Sequence, residues 1–356
     1  MCCTKMCCTK RISGLTLLTL LIGSALLALS GPAESGPDTG VVHASGTKID
    51  ELAFVDANLQ IALIHADGTG LRQLTCKPGV SATPVWSPGG LRLAFAQTRG
   101  ELTQIYAMNP QSGTQRALTR PPGSNVLPAW SPDGRTLVFV STRGGSPQIY
   151  VMDADGSGQR RLTTGGDSTA PAWSPDGRRI AFLSRRGHSS WELYVMNADG
   201  TGQVRLTTEG VLLRPGVVQP TWMPDGWHVA VVVRVGRAEQ AIYAVATDGS
   251  EVTRLATGYA AAWSPDGRRV AFGVARVGDA QLYVMDADGR HPRRLTSGGV
   301  NLLPAWSPDG RRIGFLASRN GDLAIFVMNA DGTRERRLAA AAGDMSALPL
   351  FSWRPR

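Results

Sequence analysis

Cysteine is nearly missing where it could matter. Four of the five cysteines (Cys2, Cys3, Cys7, Cys8) lie at the extreme start, which leaves Cys76 alone in the rest of the chain. No disulfide can form within the body of the protein after processing, so stability must come from packing, as a domain of about 300 residues allows. Charge is also sparse, at 18 % of residues with a net +9, nearly all of the positive charge being Arg. The excess favours anionic partners or surfaces. It is not gathered into one run, so nucleic acid is not an expected partner. Histidine is scarce: His43, His65, His188, His228 and His291 show no ligand spacing, so neither a metal nor another cofactor is expected. There is no G-x-S-x-G nucleophile elbow and no clustered acid–base pair, so no catalytic residue is assigned.

What the chain has in quantity is glycine (42) and proline (22), and both fall at fixed intervals. Trp-Ser-Pro-Asp-Gly stands at 130–134, 173–177, 263–267 and 306–310. Degraded copies stand at 86–90 and 222–226, and a remnant, Trp-Arg-Pro, at 353–355. The tryptophans are 44, 43, 49, 41, 43 and 47 residues apart. A period in the forties with strand-like filling is the mark of a propeller blade. In the copy at 130 the spacing predicts strand A at 127–130, strand B at 136–140, strand C at 148–152 and strand D at 160–163. Ser-Pro-Asp-Gly and Asp-Ala-Asp-Gly form the A–B and C–D turns.

Units with strands B to D begin near Leu52, Leu91, Thr136, Arg179, His228, Arg269 and Arg312. The segment 348–353 is an A strand with nothing after it, and the unit at Leu52 has no A strand before it. The expected fold is all-β: a seven-bladed β-propeller of four antiparallel strands per blade, closed by the C-terminal strand joining the first blade. Closure removes two free sheet edges. Six blades is the alternative, if the unit at Trp222 is miscounted.

The start of the chain reads differently. Lys5, Lys10 and Arg11 precede an uncharged apolar run at 12–29 and small residues around Ala33. Residues 1–33 read as a secretory signal peptide, with a retained membrane anchor at 12–29 as the alternative. Residues 34–47 form a linker and 48–356 the propeller. The doubled Met-Cys-Cys-Thr-Lys leaves Met6 as a second candidate start. The expected location is extracytoplasmic, periplasmic or secreted.

The succession Trp-Ser-Pro-Asp-Gly, an apolar strand ending in Phe, Ile-Tyr-Val-Met-Asp-Ala-Asp-Gly and Arg-Leu-Thr resembles the TolB-like β-propeller repeat. The resemblance covers about 48–356. It implies the fold strongly and function weakly, because the repeat occurs both in protein-binding periplasmic proteins and in the propellers of oligopeptidases. The family's namesake carries an N-terminal α/β domain. Here a leader and linker stand in its place, so the propeller part alone is matched.

Strand direction puts the A–B and C–D turns on one face and the B–C and D–A loops on the other. The second face varies in length, and function on a regular scaffold concentrates on such loops. Its B–C loops carry Arg99, Arg143, Arg186, Arg234, Arg276 and Arg319, with Asn58 in the first unit. A ring of guanidinium groups suits carboxylate or phosphate; alternatively each Arg braces its own loop. His188 and Trp191, beside Arg185 and Arg186, are a candidate partner contact or, for Trp191, inter-blade packing. Leu212, Leu213 and Arg214 in the long loop are a third candidate. The paired arginines of strand D (Arg160/Arg161, Arg293/Arg294, Arg336/Arg337) read as edge protection. The Asp-Ala-Asp-Gly turns lack the closing Glu of a calcium loop and read as hairpin chemistry. These features favour a non-enzymatic scaffold that binds a protein or peptide, over a hydrolase or lyase acting on an anionic glycan in the channel.

Overall fold

The computed structural model describes residues 50–356 apart from 77, 188–189, 208–211, 214–218, 236–238, 277–278 and 343–350, and it leaves the side chain of Leu212 undescribed. The leader and linker expected at 1–47 lie outside the described residues. Residues Ile49–Arg356 form one compact unit. Among the described residues every regular element is a strand, and no helix is long and apolar enough to cross a membrane.

The strands pair into antiparallel groups of four, A to D. The first group is Phe351–Trp353, Glu51–Val55, Ile61–His65 and Arg72–Gln73. The second is Val80–Trp86, Leu93–Arg99, Leu102–Met108 and Gln115–Ala117. The third is Asn125–Trp130, Thr136–Ser141, Gln148–Asp153 and Arg160–Arg161. The fourth is Ser168–Trp173, Arg179–Ser184, Glu192–Asn197 and Val204–Arg205. In the fifth, strand A comes in two pieces, Leu212–Leu213 and Thr221–Trp222, both paired with His228–Val235, followed by Glu239–Ala246 and Val252–Thr257. The sixth is Tyr259–Trp263, Arg269–Arg276, Asp279–Asp286 and Arg293–Arg294. The seventh is Val300–Trp306, Arg312–Arg319, Asp322–Asn329 and Arg336–Ala340. One parallel bridge, Ala280 to Val300, links the last two groups. Strand B of the second group starts at Leu93, not Leu91: the Gly89-Gly90 turn runs on and leaves Leu91 69 % exposed.

Burial explains the composition of the strands. B and C are covered on both faces, so they read as continuous apolar runs rather than alternating ones. Phe54, Phe95, Phe139, Phe182 and Phe315 on strand B are fully buried. All but the first stack or tilt against an aromatic of strand C, as Phe95 does on Tyr106 at 5.9 Å and Phe182 on Tyr194 at 5.5 Å. The D strands of the third, fourth and sixth groups are two residues long and exposed.

Neighbouring groups are fastened by the repeat residues themselves. The Nε1 of Trp130 donates to the carbonyl of Val85, Trp173 to Ala129, Trp222 to Ala172, Trp306 to Ala262 and Trp353 to Ala305, at 2.9–3.3 Å. Each acceptor is the residue just before the preceding tryptophan. Arginines of strand D, paired or single, reach across to the next group. Arg72 donates to Pro110, Arg160 to Asp199, Arg293 to Asp331 and Arg336 to Ala66, each a carbonyl of the next group's C–D corner.

The ends of the described chain meet. Phe351–Trp353 pairs with Glu51–Val55. Arg354 bonds Glu51 and the carbonyl of Gly90, and its guanidinium lies 5.1 Å from the Trp86 ring. Arg356 bonds Asp50 and Asp309. A Cβ on Gly90 would meet the carbonyl of Pro355 at 2.8 Å, so the terminal Trp-Arg-Pro nests against the following turn as an internal copy does.

Candidate binding face

The two faces predicted from strand direction are present. Ser87 and Asp133 of A–B turns line one cleft together with Asp153 and Asp155 of a C–D turn. That cleft, of about 630 Å³, lies between the second and third groups on the turn face, and sequence reasoning missed it. Its signal was the degraded copy at 86–90, where Gly89 and Leu91 replace the Asp and Arg of the intact turn and remove bulk.

The carboxylates there are largely engaged in building their turns. Asp133 accepts from the Ser131 hydroxyl and the Arg135 amide, and those bonds hold its carboxyl below the usual range. The same arrangement recurs at Asp176 and Asp266. Asp155 accepts from the Ser157 hydroxyl and amide and is likewise lowered. No group of three or more His, Cys, Asp or Glu among the described residues is placed to hold a metal ion.

On the loop face the six arginines do not form a uniform ring. Arg99 donates to Gln97 and lies over Tyr106 at 5.1 Å. Arg143 donates from Nε to Ser141 and from a terminal nitrogen to Asn125, with Tyr150 at 4.7 Å. Arg319 donates to Asn301 and Glu335. These three brace their own groups. Arg234 pairs in register with Gln240 and Arg276 with Asp279, near the B–C hairpins, and Arg276 is exposed.

Arg186 differs. It lies 5.6 Å from the ring of Phe182 and 5.3 Å from that of Tyr194, and its Nε and one terminal nitrogen are buried without a hydrogen-bond partner among the described residues. Burial pulls the guanidinium below its ordinary pKa, against the opposing pull of Tyr194. Beside it, Arg185 pairs with Asp167 at 2.5 Å and stacks on Trp191 at 5.4 Å.

Trp191 is a packing residue: it is 8 % exposed, clusters with Leu193, Leu213 and Trp222, and bridges to Leu213. Leu213 is 5 % exposed, so its side chain belongs to the core rather than to a contact surface. His188 and Arg214 lie outside the described residues, and of Leu212 only the backbone is described. Glu192 stands where Gln104, Gln148 and Gln281 stand in other groups. It is fully buried and accepts from the hydroxyls of Ser190 and Thr207.

The TolB beta propeller domain family matches residues 41–170 and 256–354, together more than half of the chain. No curated protein matches by sequence. Among solved structures, TolB from Acinetobacter baumannii is similar at 19 % identity and TM-score 0.55, over 86 % of this chain and 67 % of that one. An oligogalacturonate lyase in complex with manganese is similar at 16 % identity and TM-score 0.63, over 81 % and 83 %. A puromycin-hydrolyzing peptidase of Mycobacterium tuberculosis is similar at 18 % identity and TM-score 0.63, over 82 % of this chain and half of that one. At these identities the likeness concerns the fold.

Proposed function

The chain belongs to the TolB beta propeller family, and from that premise we propose that it is an exported, non-enzymatic seven-bladed ring, closed by its last strand, that binds a protein or peptide through the B–C and D–A loop face. The observation that carries this reading is where the repeat breaks down. At the fourth and fifth groups that face carries a split A strand, the Trp191–Leu213 bridge, a buried carboxylate in place of an amide, and Arg186 with two buried nitrogens that lack a hydrogen-bond partner among the described residues. The opposite face keeps its Ser-Pro-Asp-Gly turn intact at 131–134, 174–177, 264–267 and 307–310 and departs from it at 87–90 and 223–226. Departures from a scaffold's own rule mark the places where something other than folding sets the residue. The net charge of +9 favours an acidic partner. The rival reading, a hydrolase or lyase on an anionic glycan, has the same Arg-bearing mouth but needs an acid–base pair there.

Affinity capture with the full chain tests the reading when the two faces are reversed in charge separately. Arg186→Glu with Arg276→Glu alters the loop face; Arg135→Glu with Arg311→Glu alters the turn face. A protein held by the wild type and by the turn-face variant, and lost by the loop-face variant, is the expected result. Loss only with the turn-face variant would sink the proposal.

A further inference from the structure

The repeats supply their own control for Arg186. In the third and seventh groups an Asn stands 18 residues before the arginine and its Oδ1 accepts from the guanidinium: Asn125 for Arg143 at 3.0 Å and Asn301 for Arg319 at 2.7 Å. The fourth group has Ser168 in that place. Serine carries a hydroxyl where asparagine carries a carboxamide, so its oxygen ends one bond short of the asparagine Oδ1. The second group also has a serine there, Ser81, but Gln97 on the next strand supplies an acceptor to Arg99 at 2.9 Å. The residue matching Gln97 in the fourth group is Ser184. Its hydroxyl is engaged elsewhere, with Ser168 and the carbonyl of Asp167, each at 3.0 Å. Only in the fourth of these groups are both internal acceptors missing.

A guanidinium cannot shed its charge and donates in a planar fork. Buried nitrogens without an acceptor carry a full desolvation penalty. We infer that Arg186 is a receptor for a carboxylate, which takes the place that a carboxamide fills in the sister groups. A carboxylate and a carboxamide are nearly the same size and shape, and the carboxylate adds the charge that makes the bond to Arg strong. The inference rests on the loop face being the binding face, and it names the group that this face takes: an acidic side chain or the C-terminal carboxylate of a peptide.

The test is a calorimetric titration of the full chain with sodium acetate and with N-acetyl-aspartate, at constant ionic strength against chloride. Saturable binding to the wild type is expected. Ser168→Asn rebuilds the internal acceptor, so it should weaken binding at least tenfold while keeping or raising the unfolding midpoint. A purely structural arginine gives no such opposition between the two readouts. Arg186→Lys keeps the charge, loses the fork, and should also weaken binding at least tenfold. Wild type that shows no saturable binding, or a Ser168→Asn protein that binds as well as wild type, overturns the inference. A tenfold preference for galacturonate over N-acetyl-aspartate would overturn the peptide source. Partner capture lost with the loop-face charge reversals but untouched by Ser168→Asn would overturn this inference alone and leave the loop-face reading standing.

Discussion

Trp353→Ala is the perturbation that best tests how the described ends are joined. The side chain is 8 % exposed and packs in the same cluster as Phe54, Trp86 and Leu316. A tryptophan buries roughly 200 Å², and at about 25 cal/mol per Å² that is about 5 kcal/mol, most of it lost on truncation. Its Nε1 bond to Ala305, 3.0 Å long, contributes about 1 kcal/mol more. Relaxation around the gap lowers the total, and a loss of about 4 kcal/mol lies within the usual range for removing a buried aromatic. The control is Trp227→Ala. Trp227 is 67 % exposed and its contact with Arg179, at 5.4 Å, is worth about 0.5–1 kcal/mol. Urea unfolding of both variants and the wild type, followed by circular dichroism, reads the difference. A Trp353→Ala midpoint shift no larger than that of Trp227→Ala would mean that the last strand does not sit in the first group in solution.

The remaining expectations concern the turns. Gly156 has φ of +87°, and a Cβ there would meet the Leu118 carbonyl at 2.8 Å; Gly156→Ala should cost about 2–3 kcal/mol from strain and displacement together. Gly145, at φ of +95° with nothing nearby, should cost only about 1 kcal/mol on the same change, and urea midpoints separate the two. Ser131→Ala removes the hydroxyl that donates to Asp133 and accepts from the Thr136 amide; a loss of about 1 kcal/mol is expected, read the same way. Hydrogen bonds from Ser131, Ser174 and Ser264 and from the following backbone amides hold Asp133, Asp176 and Asp266 below the ordinary aspartate value of about 3.9 in the folded protein. Their contribution is therefore present above that value and is lost as pH falls through the lower folded value. The urea midpoint should hold from neutral pH to about pH 5 and drop below about pH 4; a drop that begins near pH 6 would refute the assignment.

Much of the fold was legible because turn chemistry is local. Pro, Asp and Gly at 132–134 announce their turn from three letters, and the tryptophan spacing sets the repeat. The bend in the A strands was not legible. Thr83, Leu127, Ala170, Ala260 and Leu303 all adopt positive φ three residues before their tryptophan, where the strand register shifts. None is Gly or Asn, so no composition signal marks the left-handed region, and tertiary packing imposes it. The candidate site was legible in part. The arginines were visible one at a time, but the acceptors of Arg143 and Arg319 lie 18 residues earlier on another strand. Only comparison of Asn125, Ser168 and Asn301 across the repeats shows which arginine lacks one. The reach of the strand D arginines depended on which carbonyl lies across the gap to the next group, and sequence does not record that.

The pairing of Leu52 with Trp353 has a consequence for the order of events during synthesis. The first group's strands at Glu51–Val55, Ile61–His65 and Arg72–Gln73 are made about 300 residues before the strand that fills the place beside them. Bringing partners about 300 residues apart together costs about 5 kcal/mol in chain entropy, close to what the single buried tryptophan returns. The aromatic pair Phe351 and Trp353 and the arginines Arg354 and Arg356 therefore act as a clasp that fastens long after the strands it holds have been made. Until it fastens, the earliest part of the molecule offers an open edge, and the time spent in that condition sets how long the newborn chain is exposed to aggregation.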